Sequence, residues 1–235
     1  MSASATSLQY DPAMASSPTA SPAPAETTTS LLDEQRDLAR ARIVKAAQRA
    51  LAARGLATTV DEVADAAGVS RRTVFRHFAT RERLFAAAIR AGLRTYAEHV
   101  PAVPDPSAAT APATAGDGWL LDTLVAYHRI NARNGRIYWD LSVLDPDLEG
   151  DLAAAAAERR EARRQFAVRT TRALWRAGGG AGEPPPWLTD AVAVHFSGFT
   201  LQSLAGDFGR APDEVAQVSA RVISAAVAAA LADAG

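Results

Sequence analysis

The 235-residue sequence contains no cysteine. Disulfide bonds, thiolate nucleophiles and cysteine-ligated zinc are therefore excluded. The four histidines are isolated, with no His-x-x-x-His pair and no clustered carboxylates, so we expect no metal site. They are His77, His99, His128 and His195. A Gly-x-Ser-x-Gly elbow is also missing. Because no other acid–base or nucleophile set stands out, we expect no catalytic residue and no cofactor.

Strand-like alternation of Val, Ile, Thr and aromatic residues is also missing, while alanine is abundant. This composition predicts an all-α protein. We find no apolar run long and uncharged enough to span a bilayer, and no basic segment followed by an apolar one at the N-terminus. We therefore expect a soluble, cytoplasmic protein with no membrane partner.

The net charge of −1 hides an uneven distribution. The segment from Asp33 to Val100 carries thirteen cations and eight anions, a net +5, which leaves −6 for the rest of the chain. A basic N-terminal part joined to a slightly acidic body is typical of a DNA-binding head followed by a second domain.

Residues 1–30 are rich in Ser, Thr, Ala and Pro and almost uncharged, so we predict a disordered tail. The first helix is predicted from Leu31 to Arg54. Within it, Ile43, Ala47 and Leu51 belong to an apolar stripe at helical spacing, which we expect to be buried. Gly55 ends the helix.

The stretch from Thr59 to Phe78 predicts two short helices joined by a tight turn. Thr59 and Glu62 form a capping box at the start of the first helix. Gly68 is suited to the left-handed residue that ends it, and Ser70 is a good N-cap for the second helix. This is the layout of a helix-turn-helix, whose second helix lies in the DNA major groove.

The predicted packing of the second helix leaves polar and basic side chains on its outer faces. Such side chains suit base edges and phosphates. The alternative is an ordinary helical hairpin with a solvated basic face, which the two caps and the turn disfavour. With the flanking caps and the next helix start, the predicted DNA-binding residues are Thr59, Ser70, Arg71, Arg72, Thr73, Arg76, His77 and Arg81.

Thr80 is a plausible N-cap for a fourth helix that runs to about Val100. The first turn of this helix, with Arg81, is expected beside the recognition helix, where its N–H groups and cation could hold a phosphate. We therefore place a DNA-binding domain at residues 31–80 and a connecting helix at 81–100.

Several short motifs follow one another closely in this part of the sequence. They are Gly55–Val60, Glu62–Ala64, Ala67–Ser70, Thr73–Phe78, and Thr80–Glu82 with Leu84. On these motifs the segment from Arg42 to Ile89 resembles the DNA-binding domain of the TetR (tetracycline-repressor) family of transcriptional regulators. Two positions depart from the family pattern. The family often has Tyr at the position of Phe75, so a hydroxyl that could bond a phosphate is absent here. The family usually has Lys at the position of Arg81, so the positive charge is kept.

The resemblance implies a three-helix helix-turn-helix head followed by a helical body that binds a ligand and forms the dimer. The body is placed at residues 119–235, after a Pro-, Ala- and Thr-rich loop at 101–118. Its predicted helices span residues 119–134, 137–144, 147–177, 187–204 and 212–232. The patch from Glu158 to Arg164 mixes both signs at helical spacing, which favours a solvated helix face.

Helices 187–204 and 212–232 close the chain, and the resemblance implies that they pair with their copies in a homodimer. The alternative is that the apolar stripe of the last helix packs only within one subunit. By resemblance, the body also holds a pocket for an unknown small-molecule effector. Aromatic and polar side chains that could line it, each of which could also be plain core, are Tyr127, His128, Asn131, Tyr138, Trp139, Trp175, Phe196 and Phe199.

The function that follows from the resemblance is a ligand-responsive repressor that binds a palindromic double-stranded DNA operator as a homodimer. Activation would use the same parts. Two other classes stay open at this point. One is a helical binding or interaction protein that has lost DNA binding, and the other is an enzyme on a helical scaffold.

Overall fold

The computed structural model describes residues 31–104, 115–143 and 148–234. These residues form nine α-helices and one 3₁₀ turn, and they contain no strand. The all-α prediction is confirmed. The helices are α1 (Leu31–Arg54), α2 (Val60–Ala67), α3 (Arg71–His77), α4 (Arg81–His99), α5 (Ala115–Val143), α6 (Gly150–Ala177), α7 (Pro186–His195), α8 (Gly198–Phe208) and α9 (Pro212–Ala234), with the 3₁₀ turn at Gly55–Ala57.

The helix starts and stops predicted for the N-terminal part are confirmed. Thr59 and Glu62 form both hydrogen bonds of the capping box. Gly68 ends α2 with φ of 64°, the left-handed conformation that glycine adopts without strain. The side chains of Ser70 and Thr80 accept hydrogen bonds from the backbone N–H of Thr73 and Arg83 at the starts of α3 and α4.

Of the boundaries predicted on α5, the start is wrong and the break at Gly135 is confirmed. The helix begins at Ala115, inside the stretch predicted as a loop. At Gly135 the backbone leaves helical geometry, with φ of 41° and ψ of −120°, so the break predicted there is confirmed, and two helical arms meet at a kink. A side chain at this position would meet the backbone oxygen of Ala52 at 2.8 Å, so the kink also brings α5 close to α1.

The single helix predicted at 187–204 is also wrong, because the segment forms two helices. Phe196 leaves helical geometry and Ser197 is extended, with φ of −119° and ψ of 153°. The Ser197 hydroxyl then accepts a hydrogen bond from Thr200 N–H and starts α8. Ser is among the best N-caps, so this cap competes with helix continuation and divides the segment into α7 and α8.

Two hydrophobic clusters make up the core. The first joins α1 to α4 with the C-terminal arm of α5, through Ile137, Tyr138 and Leu141, and with the first turns of α6. The second joins the N-terminal arm of α5, through Leu120 and Leu124, to α6, α7 and α9. The two arms of α5, on either side of the kink, therefore belong to different clusters. The domain limits predicted at residues 80 and 118 stay a prediction.

The last helix corrects one further expectation. By length and composition α9 is apolar enough to cross a membrane, with a mean hydropathy of 1.7 over its most apolar window. No such stretch was predicted from the sequence, since a single alanine is only weakly apolar. Over the 23 residues of α9, the contributions of many alanines add up. In this fold α9 packs against α5 and α7. The predicted tail at 1–30 and the stop at Asp145–Pro146 lie outside the described residues.

Candidate nucleic-acid interface and effector cavity

The candidate recognition helix α3 is held at its start by a side-chain cap. The Ser70 hydroxyl accepts from Thr73 N–H at 3.1 Å, and the hydroxyls of the two residues lie 3.0 Å apart. Thr59 is likewise used as a cap for α2. Three of the predicted DNA-binding residues, Thr59, Ser70 and Thr73, therefore use their hydroxyls in contacts at the starts of α2 and α3. Their contacts to DNA stay a prediction.

Arg71 and Arg72 are adjacent in sequence but are placed differently. The Arg71 guanidinium donates to Asp61 of α2 at 2.6 Å and lies 5.3 Å from the centre of the Phe75 ring. Arg72 is exposed and forms no ion pair or hydrogen bond with another described residue, and the same holds for Arg76 one turn later. Arg72 and Arg76 thus form an exposed cationic row on α3 that is available to an anionic partner.

His77 is less available than the sequence suggested. Its ring is half-buried, and Nε2 is enclosed without a hydrogen-bond partner among the described residues. Burial lowers the pKa of His77, and the neighbouring Arg76, Arg36 and Arg40 lower it further. The imidazole is therefore neutral near pH 7 and packs at the end of α3 among three cations.

Arg81 is turned into the protein. Its guanidinium donates to the backbone oxygens of Leu56 and Thr58 and lies 4.3 Å from the centre of the Phe85 ring. Arg81 thereby ties the start of α4 to the loop that leads into α2. The helices on either side of α3 are therefore linked through Arg81. Less of the Arg81 charge is available for a phosphate than was predicted.

The body contains a cavity of about 640 Å³ between α4, α5 and α6. Its volume is that of a small-molecule site. Three of the predicted pocket residues, Tyr127, Asn131 and Tyr138, line it. The wall also includes Tyr96 of α4, which sequence analysis missed and whose hydroxyl donates to Asn131 Oδ1 at 2.7 Å. Burial raises the pKa of Tyr138 to about 12 and raises that of Tyr96 well above its ordinary value, so both phenols stay protonated.

The other predicted pocket residues lie elsewhere. Trp139 and Phe199 line a second, smaller cavity of about 310 Å³, which shares Asn131 and Tyr138 with the first. Trp175 and Phe196 are buried in the body core. His128 is fully buried, and neither cavity includes it in its wall. The eight predicted residues therefore divide between two adjoining cavities and the packing around them.

Arginines of α6 form a part of the cavity wall that sequence analysis assigned to solvent. Arg159 and Arg163, from the mixed-charge patch, are half-buried and line the cavity together with Phe166. Arg160 and Arg164 of the same patch are exposed. The spacing of the residues could have indicated this wall. Positions 159, 162, 163 and 166 share one helix face, which includes Ala and Phe, whereas positions 160 and 164 lie on another face.

The outer surface of the body exposes apolar side chains on its last helices. On α9, Val218 and Val222 are one turn apart and point away from the face that packs on α5. On α8, Phe199 and Phe208 are exposed, and Phe208 retains 68% of its accessible surface. Such a patch marks an interaction surface more often than a solvated one.

The comparison with known families decides the identity of the head. A family model for bacterial regulatory proteins of the tetR family matches residues 43–88, which extend from α1 into α4. The head belongs to the TetR family. Among curated proteins, no match to the chain reaches significance.

Solved structures extend the likeness of the TetR-family head to the whole fold. A tetR-family transcriptional regulator from Streptomyces coelicolor is 20% identical, with a TM-score of 0.57, over 84% of this chain and 90% of that one. A transcriptional regulator from Rhodococcus sp. Rha1 is also 20% identical, with a TM-score of 0.56, over 83% of this chain and 97% of that one. At this identity the likeness shows a shared fold: a TetR-family head on a helical body.

Proposed function

We propose that the protein is a DNA-binding transcriptional regulator, specifically a ligand-responsive repressor that binds a palindromic operator as a homodimer. The observation that carries the proposal is the TetR-family head, in which α3, capped at its start by Ser70, presents the exposed pair Arg72 and Arg76. These two cations are one helical turn apart and can reach base edges or phosphates along one groove.

The homodimer is supported by the apolar surface of α8 and α9. The exposed surface of α9 includes an apolar stripe of Val218, Val222, Ala225 and Ala229, which lie at i, i+4, i+7 and i+11. Small side chains at this spacing allow a second copy of the helix to approach closely. A two-fold axis through this surface would present two recognition helices to one side of the DNA, about one helical turn (~34 Å) apart.

The effector response is supported by the helices that the cavity and the head share. Leu93 and Tyr96 of α4 line the cavity, and the same helix begins at Arg81 beside α3. A ligand that binds more tightly to one spacing of the two heads shifts the equilibrium toward that spacing. The resulting change in operator affinity equals the difference in binding free energy, typically ~1–3 kcal/mol. The proposal is of a non-enzymatic regulator that acts in the cytoplasm without a cofactor.

Selection of DNA fragments tests the proposal. Genomic fragments of the source organism are incubated with the purified full chain, and the bound fraction is sequenced. We expect enrichment of a palindromic site whose complex contains two protomers and weakens steeply as salt is raised from 50 to 200 mM, as phosphate contacts require, by about 10³-fold or more. Recovery of no specific site, with binding that does not depend on salt, would identify a binding protein that has lost its DNA function.

A further inference from the structure

Two residues that line the large cavity each carry a buried hydrogen-bond donor without a partner among the described residues. Asn131 is 6% exposed and lines the cavity, and its Nδ2 has no hydrogen-bond partner in the described chain. Its Oδ1 is already used by the Tyr96 hydroxyl. The Nε of Arg163 is also enclosed and unpartnered, while Nη2 of the same side chain donates to the Ala193 backbone oxygen at 3.1 Å. An unmet buried donor is costly, so a bound acceptor at this position is favoured.

The charge of the wall has one sign. Four arginines of α6 contribute to it, and its described lining contains no aspartate or glutamate. They are Arg159, Arg163, Arg169 and Arg172. Arg172 is offset by an ion pair with Glu183, and Arg169 is exposed. Arg159 lies 4.8 Å from the centre of the Tyr138 ring, and no carboxylate pairs with it or with Arg163 among the described residues.

The rest of the wall is apolar or aromatic. On the side of α4, Leu93, Ala97 and Val100 line the cavity, and the chain continues through Pro101 to Pro104. Tyr127 and Phe166 lie with their ring centres 6.1 Å apart and nearly parallel, at an angle of 18°. A flat or extended hydrocarbon body fits such a wall, because apolar surface is removed from water there without unmet hydrogen bonds.

We propose that the effector is an organic anion with an apolar body, of which an aromatic or medium-chain carboxylic acid is the simplest form. Arg163 and Asn131 bind the anionic oxygens, Arg159 supplies further positive potential, and the tyrosines with Phe166 cover the apolar body. The proposal rests on the function proposed above, in that this cavity is the effector site, and it adds the chemical class of the effector.

A panel of paired probes tests the class. The panel contains octanoate, decanoate, phenylacetate and 1-naphthoate, each with its primary amide, and phenyl phosphate as a second type of anion. The melting temperature of the purified full chain is measured with each compound at pH 7.5. We expect at least one anion to raise the melting temperature, since a ligand that binds only the folded state stabilises it, while the matched amide has little effect. Phenyl phosphate against phenylacetate separates phosphate esters from carboxylates.

Two variants assign the contact. Arg163→Gln removes the guanidinium and leaves a shorter, neutral polar side chain, and it should weaken binding of the active acid about 10- to 100-fold, as loss of a charged hydrogen bond does. Arg164→Gln is the matched control, because Arg164 is exposed and paired with Glu161 on the next helix face. We expect the control to bind the acid as the unmodified chain does. The acid affinity should also fall as ionic strength rises.

The results separate this proposal from the previous one. Amides that stabilise the chain as well as the acids, no stabilisation by any anion of the panel, or full binding by the Arg163→Gln variant would overturn the anion proposal. Operator binding by the ligand-free protein is measured in parallel on the same samples. A chain that binds its operator and fails the anion test keeps the regulator function and loses the effector class. A chain that binds the acid but no DNA would be a binding protein, and an organic anion would still be its ligand.

Discussion

The carboxylate of Asp140 accepts a hydrogen bond from the backbone N–H of Leu56 at 2.8 Å. Asp140 belongs to the C-terminal arm of α5 and is 6% exposed, whereas Leu56 belongs to the 3₁₀ turn that leads into the helix-turn-helix. The other oxygen of the carboxylate accepts from Arg136 Nε at 2.7 Å. Because Arg81 donates to the backbone oxygen of Leu56, this one peptide segment is held from the body on one side and from α4 on the other.

Replacement of Asp140 should measure this link. We expect Asp140→Ala to lower the free energy of unfolding by about 1.5–3 kcal/mol, because a charged hydrogen bond is lost and the Leu56 N–H is left without its acceptor. Asp140→Asn is the control that keeps an oxygen in place, and it should cost less. Urea unfolding of the full chain measures both. Equal losses in the two variants would contradict the acceptor role.

Gly55 should tolerate no side chain. Its φ is +58°, and a Cβ would lie 1.9 Å from Asp140 Oδ2. Gly55→Ala therefore combines left-handed strain of about 1–2 kcal/mol with a steric clash, and we expect a loss above about 2 kcal/mol. Gly209→Ala is the matched control: its φ is +64°, with nothing within 4 Å of the added methyl group. Thermal unfolding should show a clearly larger loss at Gly55, and a smaller one once Asp140 is also replaced by Ala.

Arg72 should matter for DNA and Arg176 should not. Both are exposed arginines without a described partner, but Arg176 lies at the end of α6, in the body. We expect Arg72→Ala to weaken operator binding by about 1–3 kcal/mol if it contacts a base, or to reduce the salt dependence by about one unit of slope if it contacts a phosphate. Fluorescence anisotropy across a salt series distinguishes these. Unchanged affinity and slope in Arg72→Ala would show that α3 does not enter the groove as proposed.

The dimer should depend on the exposed face of α9. We expect Val222→Asp to raise the dissociation constant of the dimer at least about tenfold, since it places an unpaired charge in an apolar contact. Gln217→Asp adds the same charge to the same helix at an exposed polar position and should leave the dimer intact. Sedimentation equilibrium gives the mass of each. A dimer unaffected by Val222→Asp would place the subunit contact on another surface.

Acid should destabilise the fold through His128. Burial lowers the pKa of this fully buried imidazole from 6.5 to about 4. Above about pH 6.5 the ring is neutral in both states; between 6.5 and 4 the unfolded state binds a proton that the folded state does not. The free energy of unfolding should therefore fall by on the order of 3 kcal/mol as the pH is lowered through this window and level off below it. A His128→Gln variant should lose this part of the pH dependence in urea unfolding at pH 7.5 and 5. The same slope in both proteins would assign the effect to other groups.

Local signals made the head predictable from sequence. Thr59, Ser70 and Thr80 are caps whose hydrogen bonds are closed within four residues, and Gly68 adopts its left-handed conformation at the predicted place. Such features depend on neighbouring residues alone, so the sequence carries them directly. The same locality explains why all three start signals were confirmed.

Long-range contacts account for what sequence analysis missed. Gly135 breaks the helix as predicted, but the sequence did not show that its bare Cα packs on the Ala52 oxygen and brings α5 close to α1. Arg81 was expected to face a phosphate, but the oxygens of Leu56 and Thr58 lie 25 and 23 residues away in sequence and capture its guanidinium. For Arg163, only the position of α4 and α5 against α6 shows that its side of the charged patch faces a cavity.

The division of α5 between two cores limits how far the head can be transplanted. A graft that carried only residues 31–104 to another body would leave behind Ile137, Tyr138 and Leu141, which are at most 5% exposed in the first core. Three large apolar side chains are together worth on the order of 5–9 kcal/mol of burial. That is comparable to the entire stability of a small domain. A chimera that respects the folding unit would move the arm from Ile137 to Leu141 and the first turns of α6 together with the DNA-binding helices.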